Sequence, residues 1–294
     1  MLKIIEKTKL WFTISGIIIL IGLVFLVKNG LQFGLDFAGG TIVRIEMAKE
    51  ENKNDIDSIL SKYVSDAQTN FSKVEGKNTV ELEIKSGSMT DAQVASIFKE
   101  LKDKYKLEDK SLYQERIGAS IGAELKRKSL IAVSIAVIGM LLYIGIRFEF
   151  NFGAAALLSL VHDVLVVLGI YGIFKLPVNS AFIAAMLTIV GYSVNDTIVV
   201  FDRIRENQKY MRRSDPTALA NASMTQTMAR SINTGLGVII ALIILYIYVP
   251  TVREFTIPLL VGVLTGTYSS VFIATPFWVI FKKRSKKAKS VSAA

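Results

Sequence analysis

Six stretches of this chain are each long and apolar enough to cross a membrane: residues 10–27, 129–146, 151–174, 176–201, 231–252 and 255–281. A hydrocarbon core of about 30 Å takes roughly 20 residues of helix. With no water at that depth, such segments must satisfy their own backbone hydrogen bonds, and helices do so internally. The pattern predicts a polytopic α-helical membrane protein with six transmembrane helices. Four of the six stretches contain no charged residue; the third holds His162 and Asp163, and the fourth holds Asp196. The first, "LWFTISGIIILIGLVFLV", is longer than a signal-peptide core and lacks a small-residue cleavage site, so it is expected to remain as a span.

Charge sets the expected orientation. The net charge is +10, yet residues 28–128 carry 17 basic and 17 acidic side chains. The excess gathers at Lys3, Lys7 and Lys9, in "RIRENQKYMRR" (203–213) and in "KKRSKKAK" (282–289). These regions share one side of a six-span path, and the positive-inside rule makes that side cytoplasmic. Both termini are therefore expected on the cytoplasmic side of a multi-pass chain. The basic tail is assigned to orientation and to membrane lipid or the ribosome, not to specific nucleic acid. Four regions follow: a tail and first helix (1–28), an extracytoplasmic domain with its lead-in (29–128), helices two to six (129–281) and a basic cytoplasmic tail (282–294).

The large loop has fold signals of its own. "TIVRIEM" (41–47) and "TVELEIK" (79–85) alternate apolar and polar residues as half-buried strands do. Segments 54–64 and 90–105 carry apolar residues at helical spacing, with Asn or Thr as N-caps. Strand, helix, strands, helix, strand predicts a small α+β domain of ferredoxin-like type between helices 1 and 2. Residues 117–129 are expected to form a helix that runs into the second span. Ser214 or Asp215, with Pro216 behind it, is expected to start the fifth helix well before its apolar core.

A charge at the bilayer centre costs at least about 2.5–3.5 kcal/mol, so the intramembrane polar residues are the functional candidates. Asp196 lies about two turns from the charged inner end of its span, and Arg230 enters the next span at similar depth. The two are expected to pair, because an unpaired buried carboxylate takes up a proton instead. Thr234, one turn past Arg230, is a further hydrogen-bond candidate; Ser193 and Asn195 add polarity, and Gly191 permits close approach of a neighbouring helix. A carboxylate ionised beside Arg230 and neutral without it is a proton site with two settings; the bland alternative is a static bridge. His162 and Asp163, about 100° apart on their helix, do not suggest a shared metal site; they read either as a proton path toward Asp196 or as an internally satisfied pair. Asp202, Arg203 and Arg205 form a cytoplasmic helix end with local ion pairs. Cysteine is absent, which removes disulfides and thiolate chemistry. No nucleotide loop, metal cluster or nucleophile–base arrangement is visible, so no enzyme activity, metal or cofactor is expected.

"GLDFAGGT" (34–41), "HD" (162–163) and "GYSVNDTIVVFDRIREN" (191–207) together resemble the SecF family of SecD–SecF protein-export complexes, in the resistance-nodulation-division superfamily. The resemblance runs from Leu10 to about Phe281; one departure is Ala119, where related proteins usually carry proline. It implies a place in the plasma membrane of a prokaryotic cell, association with SecD and with the SecYEG translocon, and use of the proton-motive force to draw unfolded preproteins outward. It implies that Asp196 is the proton-responsive carboxylate, with Arg230 and Thr234 as neighbours, and that Gly34, Asp36, Gly39 and Gly40 belong to a hinge-side motif. Six spans look like one of two repeats, and a lone half is expected to leave Asp163 and Asp196 facing lipid. Two other readings stay open: a proton-coupled exporter subunit for small solutes or lipids, and a non-conducting translocon scaffold.

Overall fold

The computed structural model describes residues 2–73, 79–211 and 214–291. Arg212 and Arg213 of the inner basic cluster and residues 292–294 of the tail lie outside the described residues. The chain forms two compact units. One comprises Met1–Gln32, Ala132–Pro177 and Ala181–Ala294; the other comprises Phe33–Ile131 and Val178–Ser180.

The second unit is the α+β one. It contains a single-turn helix α2 (Leu35–Ala38), then β2 (Gly40–Met47), α3 (Lys53–Leu60), β3 (Gln68–Lys73), β4 (Val80–Ser86), α4 (Asp91–Tyr105) and β5 (Leu112–Ile117). A two-residue strand β1 (Gln32–Phe33) precedes α2 and pairs with β6 (Pro177–Val178). The sheet order is β3-β4-β2-β5, antiparallel throughout. Alternation decides which face is covered: Val43, Ile45 and Met47 of β2 with Leu82 and Ile84 of β4 are buried, and they pack on Ile56, Leu60, Val94, Ile97 and Leu101 of the two helices. The N-caps are Asn52, whose side chain accepts from Asn54 N, and Thr90, which forms a reciprocal capping box with Gln93. β3 and β5 are the edge strands, and QTNFSK and LYQERI are mostly polar, so apolar alternation does not mark them.

These details set a scale for the unit. Leu82 is fully buried, so Leu82→Ala is expected to destabilise it by about 2–5 kcal/mol. Thr90→Ala removes only a cap and is expected to cost about 1 kcal/mol. Hydrogen exchange within β4, read on the full-length protein, checks the ranking.

The first unit is helical. α1 (Thr8–Asn29), α5 (Ala119–Arg147), α6 (Phe150–Phe174), α7 (Ser180–Tyr210) and α8 (Pro216–Tyr248) are each long and apolar enough to span a bilayer. The sixth span is broken: α9 (Arg253–Ser269) passes through a π-turn at Ser270–Ala274 into α10 (Thr275–Val291). The chain is a multi-pass membrane protein. α5 begins at Ala119 and runs without a break, and α8 begins at Pro216 under an Asp215 cap that accepts from Thr217 N at 3.0 Å. α6, α7 and the α9–α10 pair bury half or more of their apolar windows, whereas α1, α5 and α8 are peripheral. At the centre Phe152 stacks on Trp278 (5.1 Å between centroids) and tilts against Phe201 (4.9 Å). α1 and α6 touch backbone to backbone: a Cβ placed on Gly22 would stand 2.7 Å from the Gly169 Cα.

Candidate functional site

Several buried polar residues of the helical unit converge between α1, α6, α7 and α9. Asp163 on α6 is completely buried. Its Oδ2 accepts from Ser193 Oγ of α7 at 2.5 Å and from Ser269 Oγ at the end of α9 at 2.8 Å. Its Oδ1 lies 2.9 Å from Nδ1 of His162. The imidazole extends the chain of contacts: Nε2 lies 3.0 Å from Ser15 Oγ, which donates to Tyr268 Oη at 3.3 Å, and that hydroxyl donates to the Trp11 carbonyl at 3.1 Å. The close α1–α6 crossing at Gly22 and Gly169 is what brings Ser15 within reach.

One expectation is corrected here. Asp163 and Asp196 do not face lipid: they are 0% and 6% exposed within this chain alone, because α9 and its π-turn close over them. The backbone positions of His162 and Asp163 differ by about 100°, yet the two side chains touch each other and each also reaches a neighbouring helix, as the internally satisfied alternative expects.

Asp196 is held differently. The hydroxyls of Ser231 on α8 and Ser270 in the π-turn are its neighbours. Yet Asp196 Oδ2 and Ser231 Oγ are both buried without a hydrogen-bond partner among the described residues. Leaving such a group unsatisfied costs about 1–3 kcal/mol, and a native exception calls for an explanation. The adjacent Thr197 shares a 3.0 Å hydrogen bond with Ser270. Ser269 and Ser270 thus divide their attention: the first binds Asp163, and the second sits beside Asp196. A π-turn, the sort of local defect often found at functional positions, begins between them.

Arg230 does not form the expected ion pair with Asp196. It is exposed, acts on Asp196 only as a more distant charge, and lines a cleft instead. Thr234 is exposed as well. The reason is rotational: Ser231 holds the buried face of α8, and Arg230 and Thr234 lie about 100° and 60° round from it on the same side. Gly191 and Asn195 likewise fail to meet a neighbour. A Cβ on Gly191 would have nothing within 4 Å, and Asn195 is exposed. The close approaches on α7 occur at its other face, where a Cβ on Gly262 of α9 would collide with the Ile189 side chain at 2.3 Å.

At the end of α7, Arg205 donates to Asp202 at 3.3 Å and Arg203 donates to Glu206 at 2.6 Å, both at i,i+3 spacing. Arg147 adds a second cation 3.7 Å from Asp202. Asp202, Arg203, Glu206, Gln226 and Arg230 line a cleft of about 500 Å³ between α7 and α8.

The glycine motif is tightly set. Gly39 (φ +80°) and Gly40 (φ +151°) occupy backbone conformations that side chains disfavour. A Cβ on Gly40 would stand 2.6 Å from Ser86 O, and one on Gly122 of α5 would stand 2.8 Å from Phe37 O. Asp36 accepts from Ser180 N at 3.1 Å and from the Ser180 hydroxyl, and Gly34 N donates to Val178 O at 2.9 Å.

The sequence drew attention to both carboxylates but not to Ser15, Ser231, Ser269, Ser270 or Tyr268. The available signal was "TYSS" (267–270), a run of hydroxyls inside an otherwise apolar span, since such residues serve as interhelical glue.

Comparison with known proteins adds independent findings. A family model described as the C-terminal part of the protein-export membrane proteins SecD/SecF matches residues 94–284, and one described as the SecD/SecF GG motif matches residues 24–51. The protein translocase subunit SecF of Sebaldella termitidis is 37% identical, over 98% of this chain and 96% of its own length. The SecDF subunit of Bacillus subtilis is 35% identical over 97% of this chain but only 39% of its own length. Among solved structures, the crystal structure of SecDF from Thermus thermophilus, a translocon-associated membrane protein, superposes with a TM-score of 0.81 at 28% identity. It covers 96% of this chain, which spans 39% of that one.

Proposed function

The chain belongs to the SecD/SecF family of protein-export membrane proteins, and on that premise we propose that it is the SecF-type half of a proton-driven complex assisting preprotein translocation. A role in protein translocation comes with the family; the coupling ion, the working residues and the partners are our reading. The observation that carries it is the contrast between the two buried carboxylates. Asp163 has every oxygen committed, whereas Asp196 keeps a buried oxygen without a partner. A carboxyl whose charged form is left unsatisfied is poised to exchange a proton when its surroundings shift. One proton crossing 100 mV releases about 2.3 kcal/mol, comparable to the gap between two conformers.

In this reading Asp163 and His162 anchor the core and stand next in line on the proton path. Arg230 and Thr234 on α8, with Gly191 and Asn195 on α7, are uncovered in this chain because they belong against SecD. Arg230 would meet Asp196, or an acidic group of SecD, in the assembled pair. The α+β unit, a ferredoxin-like fold by its strand order, lies outside the membrane. The termini are cytoplasmic, and Asp202, Arg203 and Arg205 lie at the cytoplasmic helix end. SecYEG delivers the unfolded preprotein, and lipid covers the remaining apolar faces. The reaction is mechanical, with no catalytic residue or cofactor.

The test is export of a signal-bearing precursor in vesicles containing this chain, a SecD partner and SecYEG. Imposing a proton gradient should stimulate completion of export, and a protonophore should abolish the stimulation. Stimulation by a sodium gradient instead would replace the coupling ion. Stimulation that persists without any ion gradient would leave the scaffold reading.

A further inference from the structure

His162 is the one histidine in the chain, and its ring is held at both nitrogens inside the helical unit. Nδ1 lies 2.9 Å from Asp163 Oδ1, and Nε2 lies 3.0 Å from Ser15 Oγ. Turning the ring over would put carbon at both places, so the two contacts fix its orientation. The Tyr268 ring lies alongside, with centroids 6.0 Å apart. Where the protons sit is decided by the hydroxyls beyond the ring.

Each hydroxyl has one proton to donate, and a carbonyl has none. The Trp11 carbonyl therefore takes the Tyr268 proton, across 3.1 Å. Tyr268 Oη is then left to accept from Ser15, at 3.3 Å. Ser15, its proton committed, can only accept from Nε2 at 3.0 Å, so Nε2 carries a hydrogen. At the other nitrogen two lone pairs cannot face each other across 2.9 Å, so a second proton lies between Nδ1 and Oδ1. Asp163 Oδ2 is an acceptor throughout, from Ser193 at 2.5 Å and from Ser269 at 2.8 Å.

We infer that His162 and Asp163 together hold two protons in this arrangement, one on Nε2 and one shared between Nδ1 and Oδ1, and that Ser15 is the positioning residue that keeps the first in place. The pair is then neutral as a whole, which is how a fully buried carboxyl and a 6% exposed imidazole stand together inside a bundle of apolar helices. The other titratable groups facing it are Tyr268 on α9 and Asp196, one turn past Ser193 on α7; residues 10–27 and 255–281 carry no charged side chain. On losing one proton to water, the pair would keep Nδ1–H on Asp163, and Ser15 would turn from Tyr268 to donate to a bare Nε2. Filled and empty forms thus differ by one proton and one hydroxyl rotation. The use of this site in transport rests on the export reading above, as a second proton store linked to Asp196 through the adjacent Ser269 and Ser270.

With a single histidine, labelling that amino acid with the heavy nitrogen isotope marks one ring. The full chain, so labelled, is placed in bilayers with an unlabelled SecD partner, and its nitrogen NMR spectrum is recorded through a pH series with no gradient and no precursor. Wild type at neutral pH should show a proton on Nε2. Ser15→Ala removes the acceptor, and the ratio of protonated to bare Nε2, read where both forms are present, should fall at least about fivefold, the scale of one orphaned buried donor. Asp163→Asn leaves Ser15 in place and should keep the Nε2 proton while baring Nδ1 opposite the amide. A bare Nε2 in wild type would overturn the inference, as would an unchanged ratio in Ser15→Ala or loss of the Nε2 proton in Asp163→Asn. If neither variant accumulates, the wild-type spectrum decides alone. Failure of the export reading is separately visible, as gradient-driven export that ignores Asp196→Asn; the spectrum does not depend on it.

Discussion

Asp196→Asn is expected to abolish proton conduction through the chain and its SecD partner, a loss of at least about tenfold of the kind seen when a proton-transfer group is removed, while the complex still assembles. The substitution keeps shape and volume and removes only the ability to ionise. Its cost to the fold is bounded: the Asn amide would place donors beside Ser231 and Ser270, so an unpaired group is exchanged for another within about 1–3 kcal/mol. Asp196→Glu is expected to retain part of the current. The recording is made under a pH gradient with an unfolded polypeptide engaged. A current unchanged in Asp196→Asn would make this residue a structural neighbour of Ser231 and hand the search to Asp163.

Asp163→Ala is expected to fail in a different way. Its carboxylate is the meeting point for Ser193, Ser269 and His162, and truncation leaves all three buried without it. Removing one member of a satisfied buried network costs on the order of 3–5 kcal/mol, enough to lower the thermal midpoint of the purified protein clearly. Asp163→Asn retains an acceptor for the serines and should lose roughly half of that or less. The two carboxylates therefore separate by assay, one reporting in current and the other in unfolding. Wild-type stability in Asp163→Ala together with lost current would exchange their roles.

Much of the architecture was readable because membrane spans and amphipathic elements write their period into the residues. β2, β4, α3 and α4 follow directly from alternation and helical spacing, and the start of α8 from Asp215–Pro216. What escaped was rotation. Depth along a helix is a matter of counting, so Asp196 and Arg230 were placed at one level; which face each occupies depends on packing partners. Ser231, one residue on, points inward and Arg230 does not. The π-turn was equally silent, because "SSVFIA" has nothing in composition to distinguish it from ordinary helix. Gly191 misled for the same reason: a glycine permits close approach without saying from which molecule it comes.

The position of β2 in the sheet constrains how the protein can be made. β2 is synthesised directly after α2, yet it occupies an interior position between β4 and β5. Its pairing with β5 joins Arg44 to Tyr113 and Gly40 to Ile117. A chain emerging N-terminus first therefore carries β2 with an open edge until residues 112–117 appear, and contacts so distant in sequence form slowly. β5 ends at Ile117 and α5 begins at Ala119. Closing the sheet and committing the second membrane helix are thus nearly the same event, and a delay in one during biogenesis is a delay in the other.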